Sequence, residues 1–295
     1  MSGVVGIYNI DGAPVSRPLL EQMTSSLAYR GPDRQHVWVR DSIGFGHTLL
    51  ATTWESKCEC QPLTLDDTVW IVADARLDGR SELLEKLRAH FHQPLAAAPD
   101  SELILRAYQA WGEDCVAQLY GDFAFAIWDS RHRRLFCARD QLGVKPLYYA
   151  VAGRSFLFSN TLNCLRTHPG VSDSLNDLAI ADYLLFGFPQ DPAATSFADI
   201  QRLPPAHTLA VSDSVSAPRR YWSLAPYSSI RYAKSDDYVG AFHEILRSAV
   251  EDRLRCDRAG MFLSGGMDSS AIAATVLDVC SSRGAAMELN AYTAV

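Results

Sequence analysis

The chain has 295 residues, 48% of them hydrophobic and 21% charged, with a net charge of −7 at neutral pH. That length accommodates two ordinary domains, and the composition is that of a folded chain rather than a disordered one. The acidic balance argues against a general nucleic-acid binder, which needs a basic excess to meet phosphates. No apolar run approaches the roughly 20 residues that span a bilayer, and the opening MSGVVGIYNIDG has no basic start, so neither a membrane segment nor a signal peptide is expected. Seven cysteines without a repeated spacing suggest neither a disulfide framework nor a zinc site, and a reducing cytoplasm is the simplest expectation.

In chain order, Val4–Ile10 reads as a short apolar strand ended by the turn dipeptide Asp11-Gly12. Leu19, Leu20, Met23 and Leu27 have helical spacing behind Ser16 as N-cap. Strands are predicted around 36–39, 43–50 and 69–73, then helices over 81–90 and 101–110, with Asp100 placed to cap the second and Gly112 to stop it. Residues 123–129 and 134–139 read as two strands joined by the basic turn Arg131-His132-Arg133-Arg134. A further hairpin is predicted over 147–150 and 156–159, with Gly153 at its turn. This alternation of strands and a few helices suggests an α+β layered domain. Pro204-Pro205 and the polar stretch 212–218 look like a linker, placing domains at 1–216 and 217–295.

Beyond Tyr238 the character changes. A helix to about Arg255, a strand at 260–263, a Gly-rich loop and a helix from Asp268 to Val279 form the opening of a parallel α/β unit, with 287–295 as the next strand. The loop itself, Ser264-Gly265-Gly266-Met267-Asp268-Ser269-Ser270, carries the strongest chemical signal. A Ser-Gly-Gly turn lets backbone N–H groups approach an anion, and the following helix start favours negative charge there. Asp268 in such a place makes sense as the holder of a magnesium ion bridging to phosphates. The Gly-Lys-Ser/Thr ending of a Walker A loop is absent.

This loop resembles the SGGxDS signature of ATP pyrophosphatases. Together with LRSAVEDRLRCDRAGMFLSGGMDSSAIAA, IADYLLFGFPQDPAATSFADIQRLPPAHTLA and GDFAFAIWD with LFCARDQLGVKPLYY, it makes the whole chain resemble the asparagine synthetase family. The resemblance implies an N-terminal-nucleophile-hydrolase-like αββα sandwich followed by the start of a parallel-sheet ATP-pyrophosphatase domain. It also implies ATP and Mg²⁺ as cofactors, bound by Leu263, Ser264, Gly265, Gly266, Asp268, Ser269 and Ala294, with Asp268 on the metal.

In that family a terminal cysteine, freed by loss of the initiator Met, hydrolyses glutamine. Here position 2 is Ser2. Leu49 stands where an Arg would clamp the glutamine carboxylate, and Asp74-Ala75-Arg76 stands where Asn-Gly-Glu would supply the oxyanion hole. Arg30-Gly31-Pro32-Asp33, Gln61-Pro62, Asp100 and Arg139-Asp140 are retained. The resemblance therefore implies a degenerate glutaminase pocket with Ser2 inert as nucleophile, as in lasso-peptide cyclases and β-lactam synthetases. The implied reaction is adenylation of a carboxylate, aspartate or a peptide, followed by attack of ammonia or of a peptide amine to give an isopeptide bond. Alternatives are a non-catalytic half completed by a second chain, and a glutamine-hydrolysing asparagine synthase. Neither a nucleic-acid nor a membrane partner is implied.

Overall fold

A computed structural model describes residues 1–92, 94–225, 229–283 and 287–293. It falls into two units: residues 1–51, 55–77 and 81–223 form the first, and 52–54, 78–80 and 224–295 the second. The first unit opens with β1 (Gly3–Asn9), α1 (Arg17–Ser25), β2 (Arg34–Arg40) and β3 (Ile43–Leu49). The short β4 (Leu63–Thr64) and long β5 (Val69–Asp78) precede helices α2 (Arg80–Arg88) and α3 (Asp100–Trp111). Strands β6 (Tyr120–Asp129) and β7 (Arg134–Arg139) form one hairpin, and β8 (Tyr148–Ala152) and β9 (Ser155–Ser159) another. Helices α4 (Leu162–Arg166) and α5 (Asp177–Phe186) and strands β10 (Ile200–Arg202), β11 (His207–Val211) and β12 (Arg219–Arg220) complete it.

These strands sort into two six-stranded sheets, ordered β10-β8-β9-β1-β3-β2 and β12-β11-β7-β6-β5-β4. Side-chain alternation decides the layers. On β1, Val4 and Tyr8 join Phe45, Phe156 and Phe158 in one cluster with Val72, Ala126, Trp128 and Leu209 of the other sheet. Val5 and Ile7 face the opposite way, onto Leu20 and Met23 of α1 and Leu165 of α4. The outer face of the second sheet, with Ile71, Phe125 and Phe136, is covered by Leu83 and Leu87 of α2 and Leu103 and Ile104 of α3. The result is helix, sheet, sheet, helix, the αββα sandwich expected. Gly6 sits where the layers approach closely, since a Cβ there would lie 2.2 Å from the Phe158 ring.

Two local expectations fail. The segment expected as a linker, Pro204-Pro205 with 212–218, instead flanks β11 of the second sheet on its two sides. Leu203 and Ala206 are buried, β11 pairs with both β7 and β12, and Tyr221 Oη donates to Arg139 O at 2.8 Å. The prolines mark the entry into β11, and the first compact unit includes residues up to 223. Nor does Asp100 cap α3. Pro99 occupies the N-cap, and the Asp100 carboxylate instead accepts from the Leu77 N–H at 3.0 Å.

The second unit contains α6 (Ser235–Arg253), β13 (Arg258–Phe262), α7 (Met267–Arg283) and β14 (Glu288–Tyr292). Strands β13 and β14 are parallel, in register from Arg258 opposite Glu288 to Phe262 opposite Tyr292. Val250, Leu254, Val276 and Val279 form its small core. This is the strand, loop, helix, strand order that the sequence predicts for the start of a parallel α/β domain.

Candidate functional site

In the first unit the residues around Ser2 converge on one carboxylate. Ser2 is buried at the head of β1, and its N–H donates to Asp74 Oδ1 at 3.2 Å. The Ser2 carbonyl accepts from Asn160 Nδ2 at 2.8 Å and Arg30 Nε at 3.3 Å, and its Oγ accepts from the Leu50 N–H at 3.2 Å. Asp74, also buried, takes Lys145 Nζ at 2.9 Å, Asn160 Nδ2 at 3.4 Å and, more distantly, Arg30 Nη2 at 3.7 Å. Burial holds the Met1 ammonium below its ordinary pKa, with Asp74 opposing that shift and Lys145 and Arg30 adding to it.

Lys145 reaches Asp74 because the preceding loop is tightly built. Asp140 accepts from the N–H groups of Phe123, Leu142, Val144 and Lys145, which folds residues 140–145 around its carboxylate. Arg139 then ties the loop down from the other side, donating to Lys145 O and Leu203 O at 2.7 Å each and to Gly143 O at 2.5 Å. The retained Arg139-Asp140 pair thus shapes the backbone that presents a lysine. Gln61 does a comparable job for the strand bearing Asp74, pairing with both N–H and C=O of Ala73 at 2.6 and 3.0 Å.

The other pocket residues are divided. Leu49 is buried on β3 and offers no charge to a carboxylate ligand. Ala75, half-buried on β5, packs into the core beside α2 and α3. Asp100 is buried near Glu59, whose carboxyl is raised above its ordinary range by burial and by the charges of Asp100 and Asp74, against hydrogen bonds from Ser101 and Gln61. His47 is fully buried on β3, its pKa driven by desolvation down to about 3, so it is a neutral side chain and a poor proton carrier near pH 7. Sequence reasoning singled out Asp74 but missed Lys145 and Asn160 as its partners. The usable signal was the rule that a buried carboxylate needs counter-ions, with a lysine in an otherwise apolar GVKPLYY run as the candidate.

Asp74 thus ties Ser2, at the head of β1, to Lys145 and Asn160. It is well suited to fix the N-terminal strand.

In the second unit, residues 264–266 join β13 to the start of α7. Gly265 has φ near +81°, with open space where a Cβ would stand. Ser264 N donates to Ser269 Oγ at 3.3 Å, Gly266 N donates to Ser264 Oγ at 3.4 Å, and Ser270 Oγ donates to Gly266 O at 2.9 Å. The first-turn N–H groups of a helix lack intrahelical acceptors. The loop therefore aims them, with a helix start, at exposed space that suits a phosphate. Asp268 sits exposed in that first turn. No cluster of three or more His, Cys, Asp or Glu capable of holding a metal occurs among the described residues. A cation here would thus rest on Asp268 and on phosphate oxygens, the arrangement Mg²⁺ favours. Leu263 is tied into the sheet, its N–H donating to Tyr292 O at 2.8 Å. Ala294 lies outside the described residues.

No helix among the described residues is long and apolar enough to cross a membrane. Residues 1–222 match the family model of a glutamine amidotransferase domain, and residues 241–288 match that of asparagine synthase. Asparagine synthetase (glutamine-hydrolyzing) 3 of Bacillus subtilis (strain 168) is 35% identical over 280 residues, covering 93% of this chain and 45% of that protein. Putative asparagine synthetase (glutamine-hydrolyzing) 2 of Methanocaldococcus jannaschii is 30% identical over 292 residues, covering 92% and 56% respectively. The chain thus spans about half the length of the curated relatives it matches. Among solved structures, glutamine phosphoribosylpyrophosphate amidotransferase from B. subtilis aligns with a TM-score of 0.51 at 16% identity, covering 97% of this chain and 65% of that one. That likeness concerns the fold.

Proposed function

The chain belongs to the glutamine amidotransferase domain family, followed by a stretch of asparagine-synthase type, and from that premise we propose that it is the front part of an ATP-dependent, amide-forming ligase that does not hydrolyse glutamine itself. The observation that carries this reading is Asp74, which binds Ser2 N at 3.2 Å and Lys145 Nζ at 2.9 Å. An amidotransferase needs a donor at that end of the pocket to stabilise negative charge, and a carboxylate locked into an ion pair cannot serve. Leu49 removes the cation that would hold a glutamine carboxylate.

On this reading the working site is the loop at 264–269. Its backbone N–H groups and the start of α7 would hold the phosphates of ATP, with Asp268 holding Mg²⁺ against them. The metal, when bound, supplies charge neutralisation for the departing pyrophosphate. Leu263 and the strand leading to Ala294 would border the adenine. The carboxylate to be activated is aspartate or a peptide side chain, and the amine is free ammonia or an amine of the same peptide. In the latter case, having both reactants on one molecule would supply much of the rate. Lasso-cyclase-like isopeptide formation in a cytoplasmic setting is the form the notable departures at Ser2, Leu49 and Asp74 favour. A second reading, a half-site completed by another chain, is favoured by the two-stranded parallel sheet of the second unit. Parallel strands are stable when covered on both faces, and here alternate residues of β13 and four of the five residues of β14 are exposed.

The test has two arms. Glutamate release from glutamine by the purified chain should match that of a Ser2→Ala variant at background level. Pyrophosphate release from ATP by the completed ligase, assayed with aspartate plus ammonia and with candidate peptides, should be lost in Asp268→Ala. Glutamine hydrolysis that disappears specifically in Ser2→Ala would overturn the first half, and an Asp268→Ala enzyme within a few fold of the parent would overturn the second.

A further inference from the structure

Between the end of α3 and the β6–β7 turn, wholly within the first unit, lies a cleft of about 650 Å³, a size usual for small-molecule sites. Its apolar lining comes from Val69 at the start of β5, Phe91 just past α2 and Ala110 near the end of α3. Gly112 ends α3 at φ near +59°, a conformation that favours glycine, and the chain then continues to Glu113 at the same cleft. Asp129 and Arg134, at the two ends of the β6–β7 turn, complete the polar part of the lining.

Two donors line the cleft with no acceptor among the described residues. Tyr108 is half-buried and meets Phe136 through its ring, with centroids 6.0 Å apart, but its hydroxyl makes no hydrogen bond among those residues. Arg134 gives Nε to Glu113, which leaves its Nη1 and Nη2 without acceptors among them. Arg131 is spent elsewhere, with Nη2 on Asp66 at 2.5 Å and Nε on Thr68 Oγ1 at 3.1 Å. Asp129 is buried and already holds the Arg131 N–H at 2.9 Å and His132 Nδ1 at 2.8 Å. Burial, followed by the carboxylates of Asp129 and Glu113, pushes the Tyr108 hydroxyl above its ordinary pKa, so it stays protonated and able to donate.

These groups narrow the ligand. A hydroxyl and a guanidinium fork in want of acceptors suit a planar carboxylate. Asp129 and Glu113 make the same wall electronegative, which repels a dianionic phosphate and attracts an ammonium. Val69, Phe91 and Ala110 gain by covering a hydrocarbon side chain. We propose that this cleft binds a free α-amino acid with an apolar side chain, its carboxylate on Tyr108 and Arg134 and its ammonium toward Glu113. The site shares no residue with the Ser2–Asp74 network or with the loop at 264–269, and it stands whether or not the chain is part of a ligase.

The experiment titrates the 295-residue chain by calorimetry with L-phenylalanine, with 3-phenylpropionate, which lacks the amine, and with 2-phenylethylamine, which lacks the carboxylate. Phenylalanine should bind saturably at one site, and each analogue should bind about tenfold more weakly, the worth of a hydrogen bond to a charged group. Tyr108→Phe keeps the ring packing and should weaken phenylalanine by a similar factor with the melting temperature unchanged. In Glu113→Gln the amide oxygen can still accept from Arg134 Nε, so this variant should weaken phenylalanine and leave 3-phenylpropionate as it was. Ser2→Ala, outside the cleft, should bind as the parent does. A parent with no saturable phenylalanine binding would overturn the proposal. Full phenylalanine affinity in Tyr108→Phe would place the ligand elsewhere and overturn it too, and inorganic phosphate binding more tightly than phenylalanine would overturn the assigned ligand class.

Discussion

Replacing Asp74 by Asn tests the ion network at its centre. The substitution keeps size and shape, and an amide oxygen can still accept from Ser2 N. What it removes is the counter-charge of Lys145, whose Nζ lies 2.9 Å from Asp74 with both side chains nearly inaccessible to water. Breaking a buried pair from one side leaves an uncompensated buried charge and costs about 3–5 kcal/mol, and the retained hydrogen bond places this case near the lower figure. For a unit of this size each kcal/mol shifts the midpoint by about 2–4 °C, so Asp74→Asn should melt roughly 6–12 °C lower in scanning calorimetry. The partner substitution sharpens the test. Lys145→Met in the Asp74→Asn background removes the orphaned ammonium and should recover much of the loss, giving a coupling of about 1–3 kcal/mol in a double-mutant cycle. An Asp74→Asn protein that melts within about 2 °C of the parent would refute the argument. So would a double variant no more stable than the single one.

Three further outcomes are expected. His47 has a folded-state pKa near 3 against an ordinary 6.5, so the unfolded chain binds the extra proton below 6.5. Urea titrations should show stability falling as pH drops from about 6.5 toward 3, by up to about 1.4 kcal/mol per pH unit from this residue, and His47→Gln should flatten that slope. Glu59 is shifted the other way, so its contribution is lost as pH rises through its raised range. Glu59→Gln keeps the acceptor facing Ser101 and should raise the melting temperature at pH 8 and leave it unchanged near pH 4. Gly6→Ala drives a methyl into the Phe158 ring and should cost about 1–3 kcal/mol in denaturant unfolding, with no change at all signalling an easily displaced ring.

Much of this architecture was legible in the order of residues. The period-two strands of the first unit, the helix behind Ser16 and the strand–loop–helix around Ser264 all follow local rules, and local rules suffice where burial and propensity agree. The linker at Pro204-Pro205 misled because proline and polar residues mark any tight entry, and only the pairing of β11 with β7 reveals a sheet edge there. Asp100 misled because an acidic residue at a helix start has two available uses, and a strand end beside it took the carboxylate. The departures at Ser2, Leu49 and Asp74 could be read singly. Their convergence could not, because Asp74, Lys145 and Asn160 are brought together by separations of 71 and 86 positions.

The position of β1 also bears on how the chain is made. It lies inside its sheet, between β3 and β9, and Ser159 Oγ donates to Val4 O across 155 positions. β1 therefore leaves the ribosome long before the second of its two neighbours, β9. At roughly 5–20 residues per second, many seconds of synthesis separate its appearance from the arrival of β9. Throughout that interval VVGIY is a β-prone, uncharged segment with one edge unmatched. Slowing translation between residues 50 and 160 lengthens that exposure, and a lower soluble yield is the expected outcome.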